Sequence, residues 1–223
     1  MLNARELSLI SSNNTKMSTK AISASTILIT GATGSLGSTL VRTLTGLYPR
    51  RFKLLLACRN IEDAHASALR NFLLSQSADF SFEKLDLSDL RSVKGFTKSV
   101  NDRIGIGELP GFGGGGVINC AAILDFSPDA EIQRKMYFTN TLGPTLLMRE
   151  LLLSLKAGGD VRYINVGTSG HSSGSLDHFH KQGQMSASEA RLGYASSKLL
   201  LLMTSYACQR KVHAVGLSHL SGG

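Results

Sequence analysis

The sequence has few cysteines and no long apolar run, and each scarcity excludes a class of protein. Only three cysteines occur in 223 residues, at Cys58, Cys120 and Cys208, and each stands in an apolar segment far from the others. An odd number of widely spaced cysteines favours free thiols in a reducing compartment over a disulfide framework or a CxxC metal site. The richest apolar run, residues 199–203, is far shorter than a membrane span. We therefore expect a cytoplasmic protein without a metal site.

Aromatic residues are also scarce, at 6%, although the formal net charge is +8. Because the basic residues are scattered, this composition does not indicate a nucleic-acid partner. The first 24 residues are rich in Ser, Asn and Thr and include Glu6, which is typical neither of a signal peptide nor of a mitochondrial presequence. We predict a disordered leader over residues 1–24 and a single domain over residues 25–223, since a chain of this length forms one well-buried core.

Short apolar runs alternate with helical patterns along the rest of the chain. Strands are predicted at residues 26–29, 53–58, 80–86, 117–122, 161–166 and 212–217. Helices are predicted after Gly37 and at residues 61–76, 90–103, 130–155 (adjusted at Gly143 and Pro144) and 187–210. Loops are predicted at residues 108–116, which we expect to be flexible, and at residues 168–185. This order predicts an α/β domain with a parallel, doubly wound sheet that binds ligands at the carboxyl ends of its strands.

Three glycines follow the first predicted strand at a regular spacing, as Gly31, Gly34 and Gly37, and a helical pattern comes directly after them. In a dinucleotide-binding βα unit of the Rossmann type, such glycines allow a tight turn, a close approach of the pyrophosphate and close packing of helix on strand. The start of the helix offers free N–H groups and a positive dipole end to phosphates. The segment therefore predicts a dinucleotide site.

Tyr194 and Lys198 stand four residues apart in a predicted helix and therefore share one face of it. An ammonium near a phenol favours the phenolate and lowers a tyrosine pKa that starts near ~10. We expect such a tyrosine to exchange a proton with a substrate oxygen near neutral pH.

Together these segments resemble the short-chain dehydrogenase/reductase superfamily, from about residue 26 to about residue 217. The resemblance is carried by the TGxxGxxG-like turn of residues 30–37, in which Ser35 stands where the commoner group has its middle glycine, and by four further matches. These are Asp86 in LDLSDL, Asn119 in NCAA, Asn140 in TNTLGP, and Tyr194 with Lys198 in YASSK. Cys120 and Ala122 depart from the family's NNAG element.

The resemblance implies hydride transfer between a nicotinamide and a carbonyl carbon. Tyr194 is then the proton donor to the carbonyl oxygen, while Lys198 holds the nicotinamide ribose and lowers the tyrosine pKa. Asn140 holds the helix geometry and a proton-relay water. Aligning NVGT with the family's NVSS makes Thr168 the hydroxyl that orients the reacting oxygen, and Ser169 is the alternative.

The cofactor preference depends on the residue after the second strand, where an acid suits the 2′-hydroxyl of NAD and a base suits the 2′-phosphate of NADP. Here Cys58 occupies the usual acidic position and Arg59 follows it. A guanidinium binds phosphate through paired hydrogen bonds, so we predict NADP(H). The predicted cofactor contacts are Gly31, Thr33, Gly34, Ser35, Leu36, Gly37, Arg59, Asp86, Leu87, Asn119, Ala121, Tyr194 and Lys198.

Two other readings of the sequence compete with this one. Residues 170–174 match G-x-S-x-G, which would make Ser172 the nucleophile of a serine hydrolase with Asp177 and either His213 or His219. The second reading is a truncated NADP-binding protein with impaired catalysis. The resembled family has a Pro-Gly turn, a substrate-covering segment and a seventh strand where this sequence reads HLSGG, so we expect the last strand of the family fold to be missing.

The substrate is expected to be a lipophilic ketone or aldehyde. The long segment between Thr168 and Tyr194 resembles the retinol-dehydrogenase-like and protochlorophyllide-reductase-like branches of the superfamily. The runs LITGATGSLGSTLVRTL and GGGGVINCAA also resemble fungal reductases of secondary metabolism, including polyketide tailoring. Association of copies through the two long helices is common in the resembled family and is expected here.

Overall fold

A computed structural model describes residues 25–157, 159–180 and 185–214 of the chain. It contains one parallel sheet with the strand order β3-β2-β1-β4-β5. The strands are β1 (Ser25–Thr30), β2 (Phe52–Cys58), β3 (Asp79–Lys84), β4 (Gly116–Asn119) and β5 (Arg162–Asn165). The order reverses at β1, because β2 and β3 lie on one side of it and β4 and β5 on the other. The predicted parallel, doubly wound α/β sheet is thus confirmed.

Six α-helices connect or follow the strands. They are α1 (Ser35–Leu47), α2 (Ala64–Ser75), α3 (Leu90–Gly105), α4 (Ala130–Tyr137), α5 (Gly143–Ala157) and α6 (Ala187–Ala214). Aspartates cap three of them: the side chains of Asp63, Asp89 and Asp129 accept hydrogen bonds from N–H groups of the first turns of α2, α3 and α4. The cap at Asp63 explains why α2 begins three residues later than the predicted residue 61.

The strands alternate their side chains between two apolar cores, one on each face of the sheet. Ile27, Ile29, Leu54 and Leu56 pack with side chains of α1 and α2, namely Val41, Leu69 and Leu73. Leu28, Leu55 and Val117 pack on the opposite face with side chains of α3 and α5, including Val93, Val100, Leu147 and Leu151. Burial on both faces explains why β1 and β2 read as continuous apolar runs.

The long helix predicted at residues 130–155 is divided in the structure. A π-helical turn, Phe138–Leu142, lies between α4 and α5. At Gly143 a side chain would overlap the backbone carbonyl of Leu87, so the start of α5 packs directly against the segment after β3. The irregular turn therefore falls just before the predicted adjustment at Gly143 and Pro144. Such π-turns inside helices are frequent at functional sites.

The glycine-rich segment at residues 108–116 is packed into the fold, contrary to its expected flexibility. Leu109 and Phe112 are buried, and the Thr26 N–H donates to the Gly111 carbonyl at 2.9 Å. A side chain at Gly115 would overlap the Thr26 carbonyl. The glycines here permit close approach of the backbone to β1, which composition alone does not distinguish from a mobile loop.

Several predictions fall at the margins of the described residues. The predicted leader, residues 1–24, lies outside them. α6 continues to Ala214, so the strand predicted from residue 212 is wrong for its first three residues, and residues 215–217 lie outside the description. The predicted polar loop after β5 holds two short 3-10 helices, Ser169–Ser173 and Leu176–His180. Within the described parts of the chain, no helix has the length and apolar character to cross a membrane.

Candidate functional site

A cleft of about 530 Å³ lies at the carboxyl ends of the strands, where the strand order reverses. This is the ligand position expected for an open α/β sheet, and the volume is in the range of small-molecule sites. Nine of the predicted cofactor residues line it: Gly31, Thr33, Gly34, Ser35, Leu36, Gly37, Arg59, Leu87 and Ala121. Four others, Asp86, Asn119, Tyr194 and Lys198, are not among its lining residues.

The glycine turn is shaped by close backbone contacts. Gly31 has φ +63°, and a Cβ there would lie 2.7 Å from Cα of Ala121. At Gly37 a Cβ would overlap the Gly31 carbonyl, so the first turn of α1 packs on the turn itself. Gly34 is the N-cap residue and donates its N–H to the Gly31 carbonyl at 3.0 Å. The unpaired N–H groups at the start of α1 are thus available at one end of the cleft.

Arg59 lines the cleft just after β2, and Asp86, just after β3, lies between the lining residues Leu85 and Leu87. Arg59 is exposed, whereas its neighbour Cys58 is buried. Both the N–H and the hydroxyl of Ser88 donate to Asp86, at 2.8 and 2.6 Å. Burial opposes ionisation of Asp86, but the Ser88 hydrogen bonds and the positive charges of Arg59 and Lys135 prevail and lower its pKa. Arg59 is therefore an accessible cation. The nearby Asp86 carboxylate already accepts hydrogen bonds from Ser88 in the segment after β3.

Asn119 lies within a row of side chains that joins the strand ends. The Thr30 hydroxyl donates to Asn119 Oδ1 at 2.5 Å, and Asn119 Nδ2 donates to Asn165 Oδ1 at 3.0 Å. Asn165 Nδ2 in turn donates to the Ser205 hydroxyl on α6 at 2.9 Å. Asn119 is 2% exposed. Its side chain therefore connects β1, β4 and β5 and holds the edge of the sheet on which the cleft stands.

Asn140, in the π-helical turn, is fully buried and forms three hydrogen bonds that join three segments. Its Oδ1 accepts from the Ile123 N–H at 2.8 Å, and its Nδ2 donates to the Ile123 carbonyl at 2.9 Å. The same nitrogen donates to the Ser197 hydroxyl on α6 at 3.0 Å. Asn140 thus fixes the segment after β4 against the helix that carries Tyr194 and Lys198.

The Lys198 ammonium is almost completely buried and donates to the Val166 carbonyl at 2.9 Å. Burial lowers its pKa, opposed by the nearby Cys120 thiol. Burial raises the pKa of Tyr194, which is half-buried. The lowered tyrosine pKa expected from the spacing of the pair is therefore not found. The spacing indicates a shared helix face, but it does not show where the flexible lysine side chain directs its charge.

Thr168 caps the first 3-10 helix, where its hydroxyl accepts from the Gly170 N–H at 3.2 Å. It is half-buried, whereas the adjacent Ser169 is exposed. The segment after them lies on α6: a Cβ at Gly174 would be 2.7 Å from the Ala195 carbonyl, and the Ser175 N–H donates to the Ser196 hydroxyl at 3.0 Å. The hydroxyl-bearing loop is thus packed against the residues directly after Tyr194.

The hydrolase reading has no geometric support among the described residues. Ser172 lies inside a 3-10 helix and donates to the Ser169 carbonyl at 3.1 Å, so it does not occupy a strand-to-helix elbow. The His213 side chain and His219 lie outside the description. Among residues 25–157, 159–180 and 185–214, no cluster of His, Cys, Asp or Glu could hold a metal ion.

Sequence reasoning missed several residues that the structure brings to the site, among them Cys120, Thr139 and Gly174. Cys120 and Thr139 line the cleft, and Gly174 permits the close contact with α6. In the sequence, Cys120 is notable only because it departs from the NNAG element of the resembled family. Nothing in the local pattern marks Thr139, because its position depends on the π-helical turn. One end of the cleft thus offers the N–H groups at the start of α1 and the exposed Arg59 guanidinium. Beyond Cys120 lie the Lys198 ammonium, the Tyr194 phenol on the same helix and the Thr168 hydroxyl.

Replacing the fully buried Asn140 by alanine is expected to destabilise the protein by about 2–4 kcal/mol, because the N–H and carbonyl of half-buried Ile123 and the buried Ser197 hydroxyl all lose a partner. Urea unfolding measures the loss, and hydrogen exchange at the Ile123 amide locates it. The matched control is Asn101→Ala, which removes two hydrogen bonds at a half-buried surface position and should cost about 1 kcal/mol or less. Equal losses in the two variants would contradict the joining role of Asn140.

Asp86→Asn is expected to reduce stability at neutral pH but not at acidic pH. A carboxyl whose pKa is lower in the folded protein adds stability that is present above its unfolded-state pKa and is lost as pH falls through its folded-state pKa. The difference between wild type and variant should be at most about 1 kcal/mol at pH 7, because solvent screens this half-exposed group. Unfolding free energies measured downward from pH 7 should stay apart until about pH 4 and converge only as the pH falls further, through the lowered folded-state pKa. A constant difference would contradict the charge effect.

Comparison with known proteins shows what the chain is similar to. No protein-family model matches the sequence. Retinol dehydrogenase 13 of Mus musculus is 28% identical over 200 residues, which cover 86% of this chain and 55% of that protein. Retinol dehydrogenase 11 of Homo sapiens is 27% identical over 205 residues, covering 92% and 61%. The human dehydrogenase/reductase SDR family member 13 is 27% identical over 197 residues, which cover 86% of this chain and 49% of that protein. The chain therefore spans about half to three fifths of the length of these relatives.

Solved structures share the fold at lower sequence identity. A metagenomic short-chain oxidoreductase in complex with NADP matches with a TM-score of 0.67 and 17% identity, covering 86% of this chain and 77% of that one. The NADPH-bound carbonyl reductase from chicken fatty liver matches with a TM-score of 0.68 and 22% identity, covering 87% and 76%. The chain is therefore similar in sequence to retinol dehydrogenases and an SDR family member, and it shares the fold of solved short-chain oxidoreductases.

Proposed function

We propose that the chain is an NADP(H)-dependent oxidoreductase that interconverts a carbonyl group and an alcohol on a lipophilic small molecule. The observation that carries this proposal is the position of Cys120. This residue lines the cleft, and its thiol interacts electrostatically with the Lys198 ammonium. The anion-binding cleft and the Tyr194–Lys198 pair thus adjoin one another, as a reaction between a dinucleotide and a carbonyl requires.

The residues of the cleft fit a dinucleotide. A Cβ at Gly31 would fill the space between the turn and Ala121, so the glycine keeps the cradle open to a pyrophosphate group. The start of α1 would bind that group through its N–H groups. Arg59, exposed and next to the cleft, would bind a 2′-phosphate, which favours NADP over NAD. Asp86 and Leu87 would lie next to the adenosine part of the cofactor.

In the proposed reaction, the bound nicotinamide supplies or accepts the hydride. Tyr194 donates the proton to the carbonyl oxygen from its phenolic oxygen. Because burial raises the pKa of Tyr194, the phenol is protonated at neutral pH, which is the form that reduction needs. The Thr168 hydroxyl orients the substrate oxygen, with Ser169 as the alternative. Lys198 holds the nicotinamide ribose with ammonium donors beyond the one used by Val166.

The proposed substrate is lipophilic because apolar side chains are exposed on the segments around Tyr194. Leu124 and Phe126 follow Ile123, which Asn140 holds near α6, and Leu176 follows the loop that packs on α6. Leu192 stands two residues before Tyr194 and is also exposed. An extended apolar ketone or aldehyde suits such a surface. The retinol dehydrogenases to which the chain is similar support this class, and a polyketide-like secondary metabolite is the narrower proposal.

A second candidate function, dinucleotide binding without turnover, is favoured by the Lys198 contact. The ammonium donates to the Val166 carbonyl, and the Tyr194 pKa is raised by burial with no lowering by the lysine. A protein in this state would bind NADP(H) but would protonate a carbonyl oxygen slowly. The two functions share the cofactor site and differ in turnover.

We expect NADPH to raise the melting temperature of the purified chain more than NADH does at equal concentration, because a ligand that binds only the folded state stabilises it. Arg59→Ala should weaken NADPH binding by roughly tenfold or more while leaving NADH binding unchanged, since a charge-assisted contact with the phosphate is lost. Arg91→Ala, on a side chain 95% exposed outside the cleft, is the control. No rise with either cofactor would refute the proposed function.

Turnover is tested by the loss of nicotinamide absorbance with retinal, an aliphatic ketone and a small aldehyde as substrates. Tyr194→Phe should lower kcat by roughly a hundredfold or more, since a positioned proton donor typically contributes that much, and should leave NADPH affinity intact. Tyr206→Phe, at an exposed tyrosine on the same helix, should change neither quantity. Tight NADPH binding by the wild type without turnover of any carbonyl would support the second candidate function instead.

A further inference from the structure

Gly193 directly precedes Tyr194 on α6, and side chains from two other segments reach its backbone. A Cβ at Gly193 would overlap Oε1 of Gln133 on α4 and would lie 3.1 Å from Nε2 of His178, in the second 3-10 helix. All three of these residues are buried. The absence of a side chain therefore lets α4 and the loop after β5 approach α6 one residue before the proposed proton donor.

The Gln133 amide connects this contact to the segment that precedes α4. Its Nε2 donates to the Ser127 carbonyl at 2.7 Å, while its Oε1 lies against Gly193. Gln133 is 6% exposed, so the amide is held between the two segments and away from solvent. One side chain thus joins the backbone before Tyr194 to the backbone at Ser127.

The segment between β4 and α4 is attached at both ends. Asn140 binds the N–H and the carbonyl of Ile123, and the bond to the Ser127 carbonyl holds the other end. Between these attachments, Leu124 and Phe126 are 59% and 50% exposed. Two exposed apolar side chains on a segment that is fixed at both ends form a surface suited to an apolar ligand.

The loop after β5 reaches the same point through His178. Leu176, two residues earlier in the same 3-10 helix, is also exposed, and the Ser175 N–H before it donates to the Ser196 hydroxyl on α6. Both segments that carry the apolar side chains of the proposed substrate surface therefore meet α6 at Gly193.

We propose that Gly193 and Gln133 are positioning residues that determine how tightly an extended apolar substrate is bound, an inference that rests on the proposed function. In Gly193→Ala the Gln133 amide has to move, and it then releases the Ser127 carbonyl. The apolar side chains of that segment lose their fixed place relative to Tyr194. A long apolar carbonyl compound loses contacts with them, whereas a short one does not extend to them. Neither positioning residue lines the cofactor cleft, so NADPH binding is retained.

The test measures kcat and KM for decanal and propanal, which share the reacting aldehyde and differ in the apolar chain. In Gly193→Ala, KM for decanal should rise roughly tenfold, the effect of lost apolar contacts, while kcat/KM for propanal and the Kd of NADPH stay within about twofold of the wild type. Gly46→Ala, on α1 where a Cβ meets nothing within 4 Å, is the matched control and should change none of these quantities.

A second variant, Gln133→Ala, removes the side chain that Gly193→Ala displaces. It should raise KM for decanal by a similar factor, and the double variant should equal Gln133→Ala, because no overlap remains for the second change to cause. The Ser127 N–H donates to Asp125 at 2.8 Å, and hydrogen exchange at this amide in the unliganded protein should quicken in both single variants but not in Gly46→Ala.

Each other outcome overturns the inference in a distinct way. An equal fall in kcat/KM for both aldehydes would mean that Gly193 acts on the reacting group alone. Unchanged exchange at the Ser127 amide, or effects that multiply in the double variant, would show that Gln133 does not transmit the change. If the wild type reduces both aldehydes and the variants keep its ratio of kcat/KM, only the inference fails. If the wild type reduces neither aldehyde, the inference and the proposed function fail together.

Discussion

The amide of Asn140 is the interaction on which the arrangement of the site depends. It binds both backbone groups of Ile123 and the hydroxyl of Ser197, so one buried side chain sets the distance between the segment after β4 and the helix that carries Tyr194. Ile123 lines the cleft, and Tyr194 lies on the helix that Asn140 joins to it. The π-helical turn that contains Asn140 interrupts the regular hydrogen bonding of a helix, and the side chains of Asn140 and Thr141 in this turn bond to Ser197 of α6.

Burial determines the charge states of the two groups that the proposed chemistry uses. It raises the pKa of Tyr194 and lowers the pKa of Lys198, so it favours the neutral form of both. For Lys198 the nearby Cys120 thiol opposes this effect, and the ammonium donates a hydrogen bond to the Val166 carbonyl. On the other side of the cleft, Arg59 is exposed to water. The two ends of the cleft therefore differ in solvation as well as in chemistry.

Much of the fold follows from local patterns in the sequence, and much of the site does not. The apolar runs of β1 and β2 and the glycine turn are short-range signals, and the structure has them where they were predicted. The contact of Gln133 with Gly193 and the packing of Gly115 against Thr26 depend on residues far apart in the chain. The Lys198 contact with Val166 depends on the direction of a flexible side chain, which residue spacing does not determine. The differences between the sequence-based predictions and the structure thus come from contacts between residues that are far apart in the chain.

The row of side chains along the strand ends has a single polarity. The Ala121 N–H donates to Thr30, Thr30 to Asn119, Asn119 to Asn165, and Asn165 to Ser205, whose hydroxyl donates to a carbonyl of α6. Every donor points the same way, so the bond dipoles add and each bond strengthens its neighbours. Neither amide can rotate alone, because a flip would set donor against donor and acceptor against acceptor. The two asparagines therefore behave as one cooperative unit that joins the carboxyl ends of β4 and β5.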